Sequence, residues 1–322
     1  MKRTLEALVA VLALSAGSCA AVNSAPSRAY SSIADLKNPA DVEALKNANY
    51  MIVSESKYKD SEGVEITLHS LGTAVVYANT EKETYLVTAS HVVQNEESLF
   101  NPFIGKLERT SEQFYLLEDD EVQLFNETIR NLGEFEAAKS EFYVEDVSGK
   151  KKEPANGLIH ASADISSILN VMKPKRIQIL AQNEDKDLAI ISIPSLHHPP
   201  RSYSIGDGNQ LQLQDTVLVV GYPAGLFENV SRGYITSTNN SIRQTSNPEY
   251  AFIFDASVSP GNSGGGIFAV RDGKLEFVGI TSGMYSGNDL CVGVKINGFF
   301  EVFTSNGIQC SKGWKCNPTS SL

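Results

Sequence analysis

Three short stretches hold residues that together could perform acyl transfer. In Ser259-Pro260-Gly261-Asn262-Ser263-Gly264-Gly265-Gly266 a serine stands between glycines. Glycines on both sides let the backbone bend until its amides converge on one point. In Leu86-Val87-Thr88-Ala89-Ser90-His91-Val92-Val93 an apolar strand ends in small residues and delivers a histidine. In Asp187-Leu188-Ala189-Ile190-Ile191 an aspartate opens an apolar strand, which puts its carboxylate at a sheet edge. A serine hydroxyl is a poor nucleophile until a base takes its proton. His91 is the candidate base, and afterwards the acid that protonates the leaving group. Asp187 is the candidate for fixing the imidazole tautomer and stabilising the imidazolium. The amides of Gly261 and Ser263 are the candidate oxyanion hole. Histidines after strands and aspartates before them are commonplace; the serine loop is the specific signal. Asp185 is the alternative acid, and the Asp-Leu-Ala run favours Asp187.

The elements that must position these groups read mainly as strands. Asn38-Pro39 and residues 40–47 form a helix start. Short β-branched runs follow at Tyr50–Val53, Val64–His69, Thr73–Tyr77 and Thr84–Thr88. A second block comprises Arg176–Leu180, Leu188–Ile193, Thr216–Val220, Gly233–Thr236, Ala251–Phe254 and Phe277–Thr281. Short, regularly spaced strands with little helix between them predict an all-β barrel or sandwich architecture. Residues Asn297–Thr304 read as a short C-terminal helix with Phe299, Phe300 and Phe303 on one face.

The chain order His, Asp, Ser sorts the serine hydrolases. Gly261-Asn262-Ser263-Gly264-Gly265 also fits the G-x-S-x-G pattern of α/β-hydrolases, where the histidine follows the serine. The last histidine here is His198, so that reading is excluded. The sequence resembles a trypsin-like serine peptidase of the chymotrypsin fold, and within it bacterial HtrA/Deg-type and glutamyl-endopeptidase-type enzymes. The likeness covers about 50–93 and 176–305. Further stretches that carry it are Ile205-Gly206-Asp207, Val217 to Gly225 and Ser231-Arg232-Gly233-Tyr234-Ile235. The resemblance implies two six-stranded antiparallel β-barrels with the catalytic groups between them, protein or peptide substrates, and no metal or organic cofactor. The chain ends soon after the expected closing helix, so no PDZ domain is expected. The alternative function is a catalytically silent or latent peptidase-fold protein that acts as a binding or chaperone module.

Two positions depart from the digestive members of that class. Asn262 stands where they carry an aspartate that pairs with a newly cut N-terminus, so activation of that kind is not expected. Gly266 stands where proline is usual. Ser257, six residues before the nucleophile, replaces the aspartate of the trypsin subgroup, so a basic-residue preference is not expected. The strand holding Thr281, Ser282 and Gly283 is expected to pair with substrate and line the pocket. It lacks the histidine of glutamyl-specific relatives, which leaves small or medium apolar side chains as the expected substrate class.

Lysine and arginine number 27 and aspartate and glutamate 38, a net charge of −11. That balance argues against nonspecific nucleic-acid binding, which needs a basic footprint. The surplus is local: residues 96–150 hold 14 acidic and 5 basic residues. It falls in a segment of about 95–172 that reads as an acidic, partly helical insertion in the first barrel. It is expected to be either solvated decoration or a lid or partner-binding element beside the cleft. His197-His198 precedes two prolines and reads as a surface turn rather than a metal site.

Lys2 and Arg3 precede a ten-residue apolar run, Ala7–Ala16, as in a secretory signal. Leu14-Ser15-Ala16-Gly17-Ser18-Cys19 resembles a bacterial lipobox. Residues 1–18 are therefore expected to be a signal peptide and 19–45 a tether lipidated at Cys19, with the peptidase domain at 46–322. This predicts a periplasmic or cell-envelope lipoprotein, or otherwise a secreted protein. With Cys19 lipidated or lost, Cys291, Cys310 and Cys316 allow three disulfide pairings, of which Cys310–Cys316 is the local one.

Overall fold

The β-branched and aromatic runs form twelve principal strands in two sheets. The computed structural model describes residues 40–94, 97–101, 105–132, 143–145, 152–154, 158–160, 163–196, 203–239, 248–285, 290–304 and 307–317. The signal region, Cys19 and the His197-His198 pair lie outside these residues.

The first barrel is built from β1 (Asn49–Lys59), β2 (Glu65–Asn79), β3 (Glu83–Thr88), β4 (Gly105–Leu117), β5 (Gln178–Asn183) and β6 (Leu188–Pro194). Neighbours run antiparallel in the order β5-β6-β3-β2-β1-β4. The sheet curls into a half-barrel whose flanks β4 and β5 are linked by one short segment. Lys175–Arg176 pairs with β4, Ile177 N–H donates to the Phe114 carbonyl, and the same segment continues into β5. The second barrel comprises β7 (Thr216–Gly221), β8 (Asn229–Ser237), β9 (Ala251–Asp255), β10 (Gly266–Arg271), β11 (Lys274–Met284) and β12 (Leu290–Lys295). Its order β11-β10-β7-β8-β9-β12 closes through β12 on β11. Closure removes exposed strand edges.

Both barrels contribute to one core. Leu86, Val87 and Ile190 share a cluster with Phe268, Phe277 and Ile280. Tyr203 sits on this junction, its hydroxyl donating to the Val76 carbonyl at 2.5 Å and its ring meeting Phe268 edge-on at 4.9 Å.

The structure adjusts several expectations. Helix α1 (Ala40–Lys46) forms, and Leu45 is fully buried in the shared core, so the folded unit begins within the segment expected to be a tether. The runs at Val64–His69 and Thr73–Tyr77 merge into the single strand β2. Strand β4 lies inside the supposed insertion, yet it pairs with β1 along nearly its whole length. The added material therefore lies beyond β4, chiefly in α2 (Asp119–Leu132) and α3 (Ala163–Met172). These helices press Val122, Phe125, Ile165 and Leu169 onto Met51, Val53 and Tyr222. Buried His69 joins α3 to the barrel: its Nε2 lies 3.3 Å from Glu55 Oε2 and 3.5 Å from Ser166 Oγ.

The expected closing helix at Asn297–Thr304 is a 3-10 turn at Ile296–Phe299 followed by a short strand at Phe303–Thr304. Gly298 lies so close to Leu188 that a Cβ would come within 2.4 Å of its Cδ1, and Phe303 stacks on Tyr77 at 4.2 Å. The turn and the short strand thus bring Phe299, Phe300 and Phe303 onto one core cluster without a continuous helix. Cys310 and Cys316 form the local disulfide, and buried Cys291 lies outside it with its Sγ 3.5 Å from the Ala256 carbonyl oxygen. At the closing end of that loop, Lys315 and Cys316 pair with Gln182 and Ala181 of β5, returning the chain to the first barrel.

Candidate active site

His91 lies on a 3-10 turn, Ser90–Val92, at the end of β3. β3 is buried from Thr84 onward, which fixes where it ends. Val92 is wedged against Gly72, where any Cβ would meet its Cγ1 at 2.3 Å. The histidine side chain is 48% exposed.

Asp187 occupies the turn between β5 and β6. Its backbone is left-handed, φ 53°, a conformation that aspartate tolerates better than most residues. The turn is closed by Asp187 N–H to the Glu184 carbonyl at 3.1 Å and Lys186 N–H to Asn183 Oδ1 at 3.0 Å. Asp187 Oδ1 accepts from His91 Nδ1 at 2.9 Å and from the His91 backbone N–H at 3.1 Å. Holding the proton on Nδ1 leaves Nε2 as the acceptor nitrogen. Asp185, the alternative acid, is exposed, and the carboxylate that meets His91 is that of Asp187.

Ser282 Oγ donates to Asp187 Oδ2 at 2.5 Å. A bulge aims it there: Thr281 pairs with Gly293 and Gly283 with Val292, leaving Ser282 as the extra residue. Burial alone would raise the Asp187 pKa, but the neighbouring imidazole and the Ser282 hydroxyl hold the carboxyl below its ordinary range. Partial loss of water around the ring likewise opposes charge on His91, and the Asp187 carboxylate overrides it, so the imidazole pKa stands above the usual histidine value.

Ser263 is half-buried at the head of a tightly tied loop. Asn262 N–H donates to the Ser259 carbonyl at 3.0 Å, and Gly265 N–H to the Asn262 carbonyl at 2.9 Å. Gly264 N–H donates to the Thr281 carbonyl at 2.7 Å, and Thr281 N–H returns to the Gly265 carbonyl at 2.8 Å. Two glycines are required by shape. Gly261 has φ 100°, and a Cβ there would sit 2.3 Å from the Tyr222 carbonyl oxygen. Gly264 has φ 84°, and its Cβ would be 2.1 Å from both the Thr73 carbonyl and Thr88 Oγ1, and 3.0 Å from Ala89 N. That close approach seats the serine loop against the strand end that delivers His91.

Thr73, fully buried in β2, joins the two halves of the site. Its N–H donates to the Ser263 carbonyl at 2.7 Å and its hydroxyl to the Gly261 carbonyl at 2.8 Å. The hydroxyl also accepts from Tyr222 N–H at 3.2 Å, and the Thr73 carbonyl accepts from Thr88 Oγ1 at 2.7 Å. Sequence reasoning missed Thr73, because a threonine in a strand bears no local mark of a partner 188 residues away.

The expected pocket residues divide. Ser257 is exposed. Gly283 has open space where a Cβ would stand. Thr281 is fully buried and acts through its backbone ties to the loop, while the Ser282 side chain is turned to Asp187. Gly266 is explained locally: its N–H, which proline would lack, lies 3.2 Å from Asn49 Oδ1. Buried Asn262 packs over Gly221, where a Cβ would meet Asn262 Oδ1 at 2.7 Å.

Residues 72–280 match the family model described as "Trypsin-like peptidase domain". A stretch of 107 residues is 36% identical to "Serine protease HtrA-like" of Staphylococcus aureus strain USA300, and the same holds for the protein of strain COL. The match covers 30% of this chain and spans only 14% of the length of those relatives. Among solved structures, a variant of the HtrA-type protease AlgW with decapeptide superposes with a TM-score of 0.51 at 16% identity, over 81% of this chain and 65% of that one. At that identity the likeness concerns the fold.

Proposed function

Because the chain belongs to the trypsin-like peptidase family, we propose that it is a serine endopeptidase in which His91, Asp187 and Ser263 form the catalytic triad. The observation that carries the reading is the His91 Nδ1–Asp187 hydrogen bond at 2.9 Å, next to a serine loop seated on the same strand end. Ser263 Oγ attacks the scissile carbonyl carbon while His91 Nε2 takes its proton. The oxyanion that forms is met by the amides of Gly261 and Ser263. Collapse expels the amine, protonated by His91, and leaves an ester on Ser263. Water, activated by the same imidazole, then hydrolyses the ester.

Substrates are unfolded or exported polypeptides with small or medium apolar side chains at the cut. This reading is supported by uncharged Ser257, by the open space beside Gly283 and by exposed Met284 next to it. The protein works outside the cytoplasm, in the periplasm or cell envelope, tethered through a lipidated Cys19. Palmitate-analogue labelling lost in Cys19→Ala checks the tether.

The experiment that tests the function is incubation of the purified protein with a fluorophosphonate probe and with unfolded protein, beside Ser263→Ala. Labelling and fragments only in the parent are expected, with cut sites read by mass spectrometry. A folded parent that neither labels nor cuts sinks the peptidase reading. A profile dominated by Arg, Lys or Glu sinks the substrate class.

A further inference from the structure

The amide of Gly261 belongs to the Pro260–Gly261 peptide, so whatever fixes that peptide plane aims the donor. The Pro260 carbonyl accepts from Ala224 N–H at 2.6 Å. In a trans peptide the C=O and N–H point opposite ways, and no cis bond occurs among the described residues. Ala224 therefore turns the Gly261 N–H away from itself by holding the carbonyl on the other edge of the plane.

Ala224 achieves this in a left-handed conformation, φ 53°, which a residue with a Cβ keeps only where its surroundings enforce it. Within the loop, Gly225 N–H donates to the Tyr222 carbonyl at 2.9 Å and Leu226 N–H to the Pro223 carbonyl at 3.1 Å. Helix α2 grips this loop at both ends. The Tyr222 hydroxyl lies 3.2 Å from Asp119 Oδ1, and its ring packs in one cluster with Phe125. At the far end, buried Asn126 donates through Nδ2 to the Leu226 carbonyl at 2.6 Å.

We propose that Asn126 of the acidic insertion is a positioning residue for the oxyanion hole. It holds the Leu226 carbonyl, and with it the loop whose Ala224 N–H orients the Pro260–Gly261 peptide. The proposal rests on the peptidase reading and assigns the insertion a part in it. The element that carries the charge surplus is then a support of the catalytic centre, tied to the second barrel by a side chain 100 residues away in sequence.

The test uses the full chain and the variants Asn126→Asp, which keeps the shape and loses the donor, and Asn126→Leu, which keeps bulk alone. Three quantities are read: kcat and KM on a peptide substrate, the Ki of a peptide aldehyde whose adduct places an oxyanion in the hole, and the melting temperature. Loss of an oxyanion donor outright costs about 10²–10³ in kcat. A misaimed donor is expected to cost roughly 10- to 100-fold, with KM within about twofold and the aldehyde Ki rising in parallel.

Folded variants with the parent's kcat overturn the proposal. So does a fall in kcat with an unchanged aldehyde Ki, which a merely structural role would give. If neither substitution folds, Asn126→Ser is scored by the same readouts. An active parent with indifferent Asn126 variants sinks this inference alone. A parent as inactive as Ser263→Ala sinks the peptidase reading, and this inference with it.

Discussion

Ser282 Oγ lies 2.5 Å from Asp187 Oδ2, so a hydroxyl from the second barrel completes the environment of a carboxylate carried by the first. The two residues are 95 positions apart and meet because Ser282 is the extra residue of a bulge. Hydrogen bonds to charged groups contribute about 1.5–3 kcal/mol. Ser282→Ala is therefore expected to lower the melting temperature by several degrees and kcat/KM by roughly tenfold or more. Steady-state kinetics beside calorimetry checks this.

The acid limb of the pH profile follows from His91. A general base must be neutral, and Asp187 holds the imidazole pKa above its usual value. Half-maximal kcat/KM on the acid side is expected above about pH 6.5. Asp187→Asn removes that charge and the tautomer control, and a fall of about 10⁴ in kcat is expected. An acid limb below the ordinary histidine value would contradict the pairing.

The same pair contributes to stability within a defined window. The His91 pKa is raised on folding, so its contribution is full below the unfolded value of about 6.5 and fades as pH rises through the folded one. The Asp187 pKa is lowered, so its contribution is present above about 3.9 and lost as pH falls through the folded value. The difference in melting temperature between parent and Asp187→Asn should peak between about pH 4 and 6.5 and shrink on either side. A flat difference across roughly pH 3 to 9 would show that the pair is not seated as described.

Thr73 gives a prediction that separates its hydroxyl from its bulk. Thr73→Val keeps the shape but leaves the Gly261 carbonyl and Tyr222 N–H without their partner. A loss of about 1–3 kcal/mol in denaturant unfolding is expected, with a fall in kcat. Thr73→Ser should restore most of both. Equal behaviour of the two variants would assign the effect to packing.

Reducing the Cys310–Cys316 bond should loosen the clasp on β5. Chain-entropy arguments give about 2 kcal/mol for so short a loop. Cys310 and Cys316 replaced together by serine should melt a few degrees lower and show faster amide exchange at Ala181 and Gln182, where the clasp pairs. Unchanged exchange there would show that the strand holds without the bond.

The parts of this site that could be read from sequence are those written in one continuous segment. His91, Asp187 and Ser263 each sit in a run whose neighbours dictate its geometry, and their order alone separates this fold from the α/β-hydrolases. Thr73, Ser282 and Asn126 act across 95 to 188 positions, and no local pattern encodes such a partner. Strand β4 was illegible for another reason. Its charges, such as the Arg109–Glu112 pair at 2.6 Å, obscure alternation and mimic a solvated insertion. Removing residues 97–172 would therefore take a barrel wall with the decoration, whereas Asn126 can be tested alone.

The return of residues 315–317 to β5 also sets a timetable. As the chain leaves the ribosome, the turn bearing Asp187 emerges long before its clasp, since Lys315 reaches back 131 positions to Glu184 at 2.5 Å. Lys186 waits similarly for Glu301, 115 positions later and 2.6 Å away. A nascent chain halted at residue 300 already contains His91, Asp187 and Ser263, yet lacks both of these anchors. Synthesis thus delivers the chemical groups first and their restraints last.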